Sequence, residues 1–418
     1  MIFSYSELVI WIIYMLVLYL TVFWLLVLFD KQNIKKGKVK KYPLVSILIP
    51  AYNEENTIIK TLKSVVNLDY PKNKLQIIVI NDGSKDKTES KVKDFIKKHL
   101  ESNIKLISQV NKGKGAALNT ALKTLKCKYF ATLDADSTVA TTTLKRMIPY
   151  FADKEVASVL PLMKIKNPQT ILQRVQRYEY IINMFYKHLN GKLDSVHVTP
   201  GPFSMYKYEV IKKLGYYDEN NLTEDLEIAI RLQKHHYKII QTNDAEVYTE
   251  CPKDLKSLYW QRNRWYKGGI FNSINYKKLW FNKEYGDFGF IRMPTIFLSG
   301  ILSVIVLFIF IYELIKSLVQ SFAYLKSINF DIITMIRNFS LDFILLDLNL
   351  VKLFVPLFVL SLAVIVMIYS HRFSRERITR YGKTLFSMAY YLMLYGLFLS
   401  FVWLNIFMDL ARRKTQKW

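Results

Sequence analysis

Three carboxylate clusters and one basic-aromatic helix carry the residue types from which chemistry can be built. In Asp134-Ala135-Asp136 two carboxylates stand at i and i+2, a spacing able to hold a hard divalent cation, which would in turn neutralise a diphosphate. In Thr223-Glu224-Asp225 a carboxylate can deprotonate a hydroxyl as it attacks an anomeric carbon; the plainer reading is a helix start, with Asn221 and Glu224 three residues apart. Gln261-Arg262-Asn263-Arg264-Trp265, if helical, puts Gln261, Arg264 and Trp265 on one face, a guanidinium for a departing diphosphate and an indole for a sugar ring. Pro50-Ala51-Tyr52-Asn53-Glu54 offers an aromatic ring and polar groups, Tyr52 and Glu54 among them, to a base and ribose. Asn81-Asp82-Gly83-Ser84 adds a carboxylate, Asp82, on a tight turn. Each of these is common by chance, so position has to decide. Asn111 to Asn119 has neither Walker spacing nor a third glycine, which excludes a phosphate loop. Lys114 remains a candidate diphosphate contact near a helix N-terminus, with a plain surface lysine as the alternative.

The elements around these motifs supply the position. Short apolar runs at Leu44 to Pro50, Leu75 to Ile80, Ile104 to Ser108 and Tyr129 to Leu133 read as strands, alternating with helical stretches at Asn56 to Asn67 and Ala116 to Leu125. That alternation argues for a parallel sheet covered by helices, with ligands bound beyond the carboxyl ends of the strands. Three of the motifs fall at those ends. Gln169 to Leu189 and Leu255 to Asn272 are amphipathic and aromatic, suited either to a membrane surface or to core packing.

Hydrophobic content is 51% but unevenly spread. Leu8 to Phe29 is an uncharged run long enough to cross a bilayer core of roughly 30 Å. It lacks the basic n-region and cleavage site of a signal peptide. Pro294 to Ile315, Val351 to Tyr369 and Leu385 to Met408 are the other candidate spans. The net charge of +25 collects at Lys31 to Lys41 and at Arg372, Arg375, Arg377 and Arg380, flanks that the positive-inside rule places in the cytoplasm. No zinc-finger, RNP or basic-zipper spacing accompanies it, so anionic lipid and an anionic nucleotide are the expected partners and nucleic acid is not. One span before the catalytic segment and three after it would put Arg412, Arg413, Lys414 and Lys417 outside, against the same rule, unless the interrupted stretch Phe330 to Leu350 adds a crossing. Cys127 and Cys251 have no paired spacing, which fits a reducing compartment.

Taken in order, the motifs resemble those of the processive family 2 glycosyltransferases, the cellulose, chitin, hyaluronan and poly-N-acetylglucosamine synthases, over about residues 43 to 270 and the flanking spans. The resemblance implies an α/β GT-A domain at 43–252, with a mixed, mostly parallel sheet and helices on both faces. It implies interfacial helices at 253–290, and transmembrane helices at 8–29 and 291–410. Asp82 and Asp134 would bind the nucleotide. Asp134 and Asp136 would hold Mg2+ or Mn2+, and Asp225, with Glu224, would be catalytic. Gln261, Arg264 and Trp265 match the Gln-x-x-Arg-Trp motif, and Gly201-Pro202-Phe203 looks like an acceptor-side loop of chitin and hyaluronan synthases. The implied activity is that of an inverting hexosyltransferase in the plasma membrane, its catalytic domain cytoplasmic. It would extend a β-linked polysaccharide from a UDP-sugar, UDP-N-acetylglucosamine for preference, with translocation coupled to synthesis. Its partners would be the donor, the growing polymer and membrane lipids, with an accessory membrane subunit left open. The alternatives are single transfer to a lipid such as polyprenyl phosphate or ceramide, and a transporter or scaffold with a nonbinding domain.

Overall fold

In the computed structural model, which describes residues 5–30, 36–337, 350–377 and 384–412, the described strands form one sheet. They are β1 (Val45–Ala51), β2 (Leu75–Asp82), β3 (Ile104–Gln109), β4 (Tyr129–Thr132), β5 (Thr138–Val139), β6 (Val156–Ile165), β7 (Ser204–Lys207) and β8 (Lys238–Thr249), in the order β3-β2-β1-β4-β7-β6-β8-β5. The first four pair in parallel, as their sequence implies. Then β7 runs antiparallel to both β4 and β6, β6 and β8 are parallel, and β5 closes the edge antiparallel to β8.

The helices preceding the last strand are α1 (Tyr5–Phe29), α2 (Ile58–Val66), α3 (Thr88–Lys98), α4 (Lys114–Leu122), α5 (Thr143–Met147), α6 (Ile171–Lys192), α7 (Tyr208–Lys213) and α8 (Glu224–Lys234). After it come α9 (Leu255–Asn275), α10 (Met293–Ser327), α11 (Ile332–Arg337), α12 (Leu350–Phe373), α13 (Thr384–Tyr390) and α14 (Gly396–Ala411). Alternation along β1 explains why that strand is almost wholly apolar. Val45, Ile47 and Ile49 meet α2, α3 and α5 on one face through Leu62, Val92, Phe95 and Leu144. Leu48 meets α4, α7 and α8 on the other through Leu118, Ile211 and Ile228. A strand covered on both faces has no solvent side to keep polar.

The two amphipathic stretches are α6 and α9, and both pack inward. A capping box between Thr170 and Gln173 starts α6, and Tyr178, Tyr180 and Phe185 are buried along it. Phe185 and Leu189 touch Val27 of α1 and Val366 of α12. On α9, Ile270 lies against Val402, Trp403 and Ile406 of α14. Each helix therefore joins the sheet domain to apolar helices.

Among the described residues, two helical stretches are long and apolar enough to cross a membrane, Phe288–Ser327 and Phe386–Ala411, with shorter apolar stretches at Tyr14–Phe29 and Leu357–Phe373. The first extends well beyond the expected Pro294 to Ile315. At 1.5 Å per residue, the 35 residues of α10 reach roughly 52 Å, more than a bilayer core requires. Residues 31–35 and 338–349, Arg380 and the basic tail from residue 413 lie outside the described residues. The expected lysine cluster and the question of an extra crossing both fall partly there.

Candidate active site

The loops after β1 and β2 are stitched together. The Asn53 amide donates to Ser84 Oγ at 3.0 Å, and the Lys85 amide returns a bond to Asn53 Oδ1 at 2.8 Å. Tyr52 stands exposed beside them. The Glu54 carboxylate accepts from the Thr57 hydroxyl. Burial, only partly offset by that hydroxyl, and the field of Asp134 raise its pKa. Asp82 ends β2. It is buried, and its oxygens already accept from Gln109 Nε2 (2.8 Å) and from the amides of Lys112 (3.0 Å) and Gly113 (2.9 Å). Gly113, at φ 90°, turns the chain there into α4. Asp82 thus fixes the start of the helix that carries Lys114.

That helix delivers Lys114 into a carboxylate cluster, not to the surface. Its Nζ is 2.6 Å from Asp134 Oδ1 and 3.3 Å from Glu224 Oε1. Burial opposes its charge, but Asp134, Glu224 and Asp225 outweigh burial and hold the ammonium protonated. Gly201 makes the contact possible: a Cβ there would come within 2.4 Å of both Lys114 Nζ and Asp134 Oδ1. Pro202 and Phe203 are buried, Phe203 wholly so and in the core beneath the sheet, at φ 57°. Those two side chains anchor the loop.

Asp225 follows Glu224 in the first turn of α8. The helix starts at Thr223, not at Asn221. The Thr199 amide and hydroxyl both donate to the Asp225 carbonyl, at 3.1 and 2.8 Å. Burial and then the neighbouring Glu224 push the Asp225 carboxyl up to about 6, against the opposing pull of Lys114 and Arg264. A carboxylate so tuned is a competent general base near neutrality.

Against this turn lies α9. Gly268 permits the approach, since a Cβ there would meet Thr223 Oγ1 at 2.3 Å. Asn272 ties the elements, donating to Thr223 Oγ1 at 3.1 Å and exchanging side-chain bonds with Asn221 at 2.8 and 3.0 Å. The motif is helical as expected, and Arg264 acts on Asp225. Gln261 accepts from Arg262, whose guanidinium sits 4.3 Å over the Trp265 ring. Arg262 itself is fully buried and paired with Glu179 of α6. Tyr395 donates to the same carboxylate at 2.7 Å. Sequence reasoning missed Arg262, Glu179, Thr199, Gly268 and Asn272. The one available signal was Gly268-Gly269 inside a helix, where each glycine costs about 1 kcal/mol against alanine and therefore has a packing reason.

The residues present fit a hard divalent cation. Asp134 and Asp136 leave one loop together. Burial and then the charge of Asp134 push Asp136 up to about 6 despite a bond from the Ser137 hydroxyl at 3.0 Å, so a cation beside it would favour its ionised form. Among the described residues no group of three or more His, Cys, Asp or Glu can hold a metal. Further ligands would come from a diphosphate and water.

Residues 46–215 match the glycosyl transferase family 2 model, and the chain carries a domain of that family with the GT-A fold. Its homologues include poly-β-1,6-N-acetyl-D-glucosamine synthases. The synthase of Staphylococcus epidermidis is 32% identical over 244 residues, 58% of this chain and 58% of that protein. The probable glycosyltransferase YdaM of Bacillus subtilis is 32% identical over 253 residues, 58% and 59% of the two chains. The match thus spans under two thirds of these relatives' length. The structure of the mannosyltransferase PcManGT from Pyrobaculum calidifontis, in complex with GDP-Man and Mn2+, aligns over 96% of this chain and 95% of its own with a TM-score of 0.61 at 17% identity, a likeness of fold.

Proposed function

We propose that this chain is a membrane-embedded, inverting glycosyltransferase that uses UDP-N-acetylglucosamine to extend a β-linked polysaccharide on the cytoplasmic side of the plasma membrane. The observation that carries the chemistry is the Asp225 carboxylate, raised towards neutrality and flanked by Lys114 and Arg264. The names of the relatives support the donor and the product, and the two long apolar helices support membrane embedding. Coupled translocation and an accessory subunit remain part of the proposal.

The expected reaction is a single displacement. Asp225 takes the proton of an acceptor hydroxyl, the freed oxygen lone pair bonds to the anomeric carbon from the opposite face, and UDP leaves with the electrons of the broken C–O bond. Lys114 and Arg264 are the cations placed to balance the developing charge on the diphosphate. A divalent cation held by Asp134 and Asp136 would supply Lewis-acid neutralisation of that diphosphate. Gly201 keeps Lys114 and Asp134 together while the remaining loop residues are fixed in the core. Tyr52 is the exposed ring available to the base, and Trp265 is the ring proposed for the acceptor.

Purified full-length protein in detergent, given Mg2+ or Mn2+ and UDP-N-acetylglucosamine, UDP-glucose or UDP-glucuronate singly and in pairs, tests this through UDP release and product length. Long polymer from UDP-N-acetylglucosamine alone is expected. Release limited to one turnover per added lipid would favour single transfer to a lipid acceptor.

A further inference from the structure

The last apolar stretch holds α9 at two points, one before Arg264 and Trp265 and one after them. Tyr395, at the start of that stretch, donates to Glu179, the partner of Arg262. Farther along, the Lys267 ammonium donates to Asp409 Oδ2 at 2.8 Å, near the end of α14. Lys267 is 2% exposed, and among the described residues Asp409 is its one ion-pair partner. The reaction above gives neither residue a part.

The packing around this pair fixes where Asp409 can reach. Tyr266 of α9 stacks on Trp403 of α14, with ring centroids 4.6 Å apart and planes 10° from parallel. Trp403 in turn fits against α10 because residue 300 is glycine: a Cβ there would come within 2.4 Å of the indole Cε3. Ile270 adds contacts to Val402 and Ile406. The helix α14 is therefore wedged between α9 and α10, with its carboxylate turned to Lys267.

Lys267 and Gly268 are neighbours that face different elements. Gly268 lies against Thr223, where α8 starts, and Lys267 faces α14. Both stand about one helical turn past Arg264, so α9 is fixed from two sides close to the guanidinium that acts on Asp225. An ammonium buried to this degree is costly once its carboxylate is gone, and a shift of the helix towards water is the direct relief. Such a shift would carry Arg264 with it.

We propose that Asp409 is a positioning residue which, through Lys267, holds α9 in the register that sets Arg264 beside Asp225, so that the last apolar helix takes part in setting the rate of sugar transfer. The proposal rests on the reading of Asp225 as the base.

The test measures kcat, the donor KM, the pH profile and the melting temperature of D409N in the full-length protein in detergent, with UDP release as the assay. The expected result is a kcat lowered about tenfold at unchanged donor KM, with D409E, which keeps the charge, restoring most of the rate. The pH profile separates positioning from mere loss of stability. Of the charges that act on Asp225, Glu224, Lys114, Asp134 and Lys187 stand on other elements, and Arg264 is the one on α9. Arg264 lowers the Asp225 pKa, so moving it away should shift the acidic limb of kcat/KM upward from about 6. Wild-type kcat in a folded D409N, or a lowered kcat with the limb unmoved, would overturn the proposal. If D409N does not fold, the K267M/D409N double variant, which buries no unpaired charge, is expected to show the same fall and the same shift, and wild-type values in it would overturn the proposal equally. D225N on the same preparation keeps the two readings apart. Transfer lost in D225N but normal in D409N removes the positioning role alone; transfer retained in D225N removes the base and this role with it.

Discussion

Lys114 Nζ lies 2.6 Å from Asp134 Oδ1 because residue 201 has no side chain to separate them. The proposed diphosphate contact, Lys114, and the proposed metal ligand, Asp134, are thus set by a glycine 87 positions from the first and 67 from the second. Gly201→Ala should therefore displace the pair at the cost of overpacking, about 1–3 kcal/mol. A misplacement near 1 Å can cost about 100-fold in rate, so kcat should fall by that order while circular dichroism stays native. Steady-state UDP release checks it; wild-type kcat would show that the contact does not matter.

The carboxyl of Asp225 is raised to about 6 by burial and by Glu224. A base works only when deprotonated, so kcat/KM should climb about tenfold per pH unit below 6 and level off above it. A profile flat from pH 5 to 7 would remove Asp225 from the rate-determining proton transfer.

Gly268→Ala should push α9 off Thr223, whose Oγ1, Cγ2 and Cβ all lie within 2.9 Å of the added carbon. The expected outcome is a fall in kcat of about tenfold with UDP affinity unchanged, since the shift separates Arg264 from Asp225 but leaves the loops after β1 and β2 alone. Titration of UDP alongside turnover distinguishes this from general unfolding.

Removing the carboxylate from the Glu179–Arg262 pair strands a guanidinium that is fully buried. Glu179→Ala should destabilise by about 3–5 kcal/mol, whereas replacing both residues by Met should recover most of the loss. Melting temperatures of the two single variants and the double variant test this; equal, additive losses would mean that the pair does not couple α6 to α9.

How far the sequence led differs between the two halves of the sheet. The parallel half was legible because each of β1, β2 and β4 is an apolar run ended by a polar motif, and the chemistry sits at those ends. The antiparallel half was not: β7 spans four residues, and β6 and β8 are separated in sequence by α6, β7, α7 and α8. Asp134, Asp136, Glu224 and Asp225 were identified, as was Lys114, around which they gather. The burial of Asp82, Pro202 and Phe203 was not legible, because a strand-end carboxylate satisfied by amides and a buried aromatic look the same in sequence as exposed ones. Arg262 and Glu179 were missed because a charge in an amphipathic stretch reads as solvated, and only the packing of α6 against α9 shows that it is not.

The most direct test of the central claim is Asp225→Asn in the full-length protein, with sugar transfer from UDP-N-acetylglucosamine and UDP binding measured on the same preparation. Loss of the base should lower transfer by about 100- to 10,000-fold while UDP binds as before. Transfer at the wild-type rate with intact UDP binding would contradict the assignment of Asp225 and the mechanism built on it.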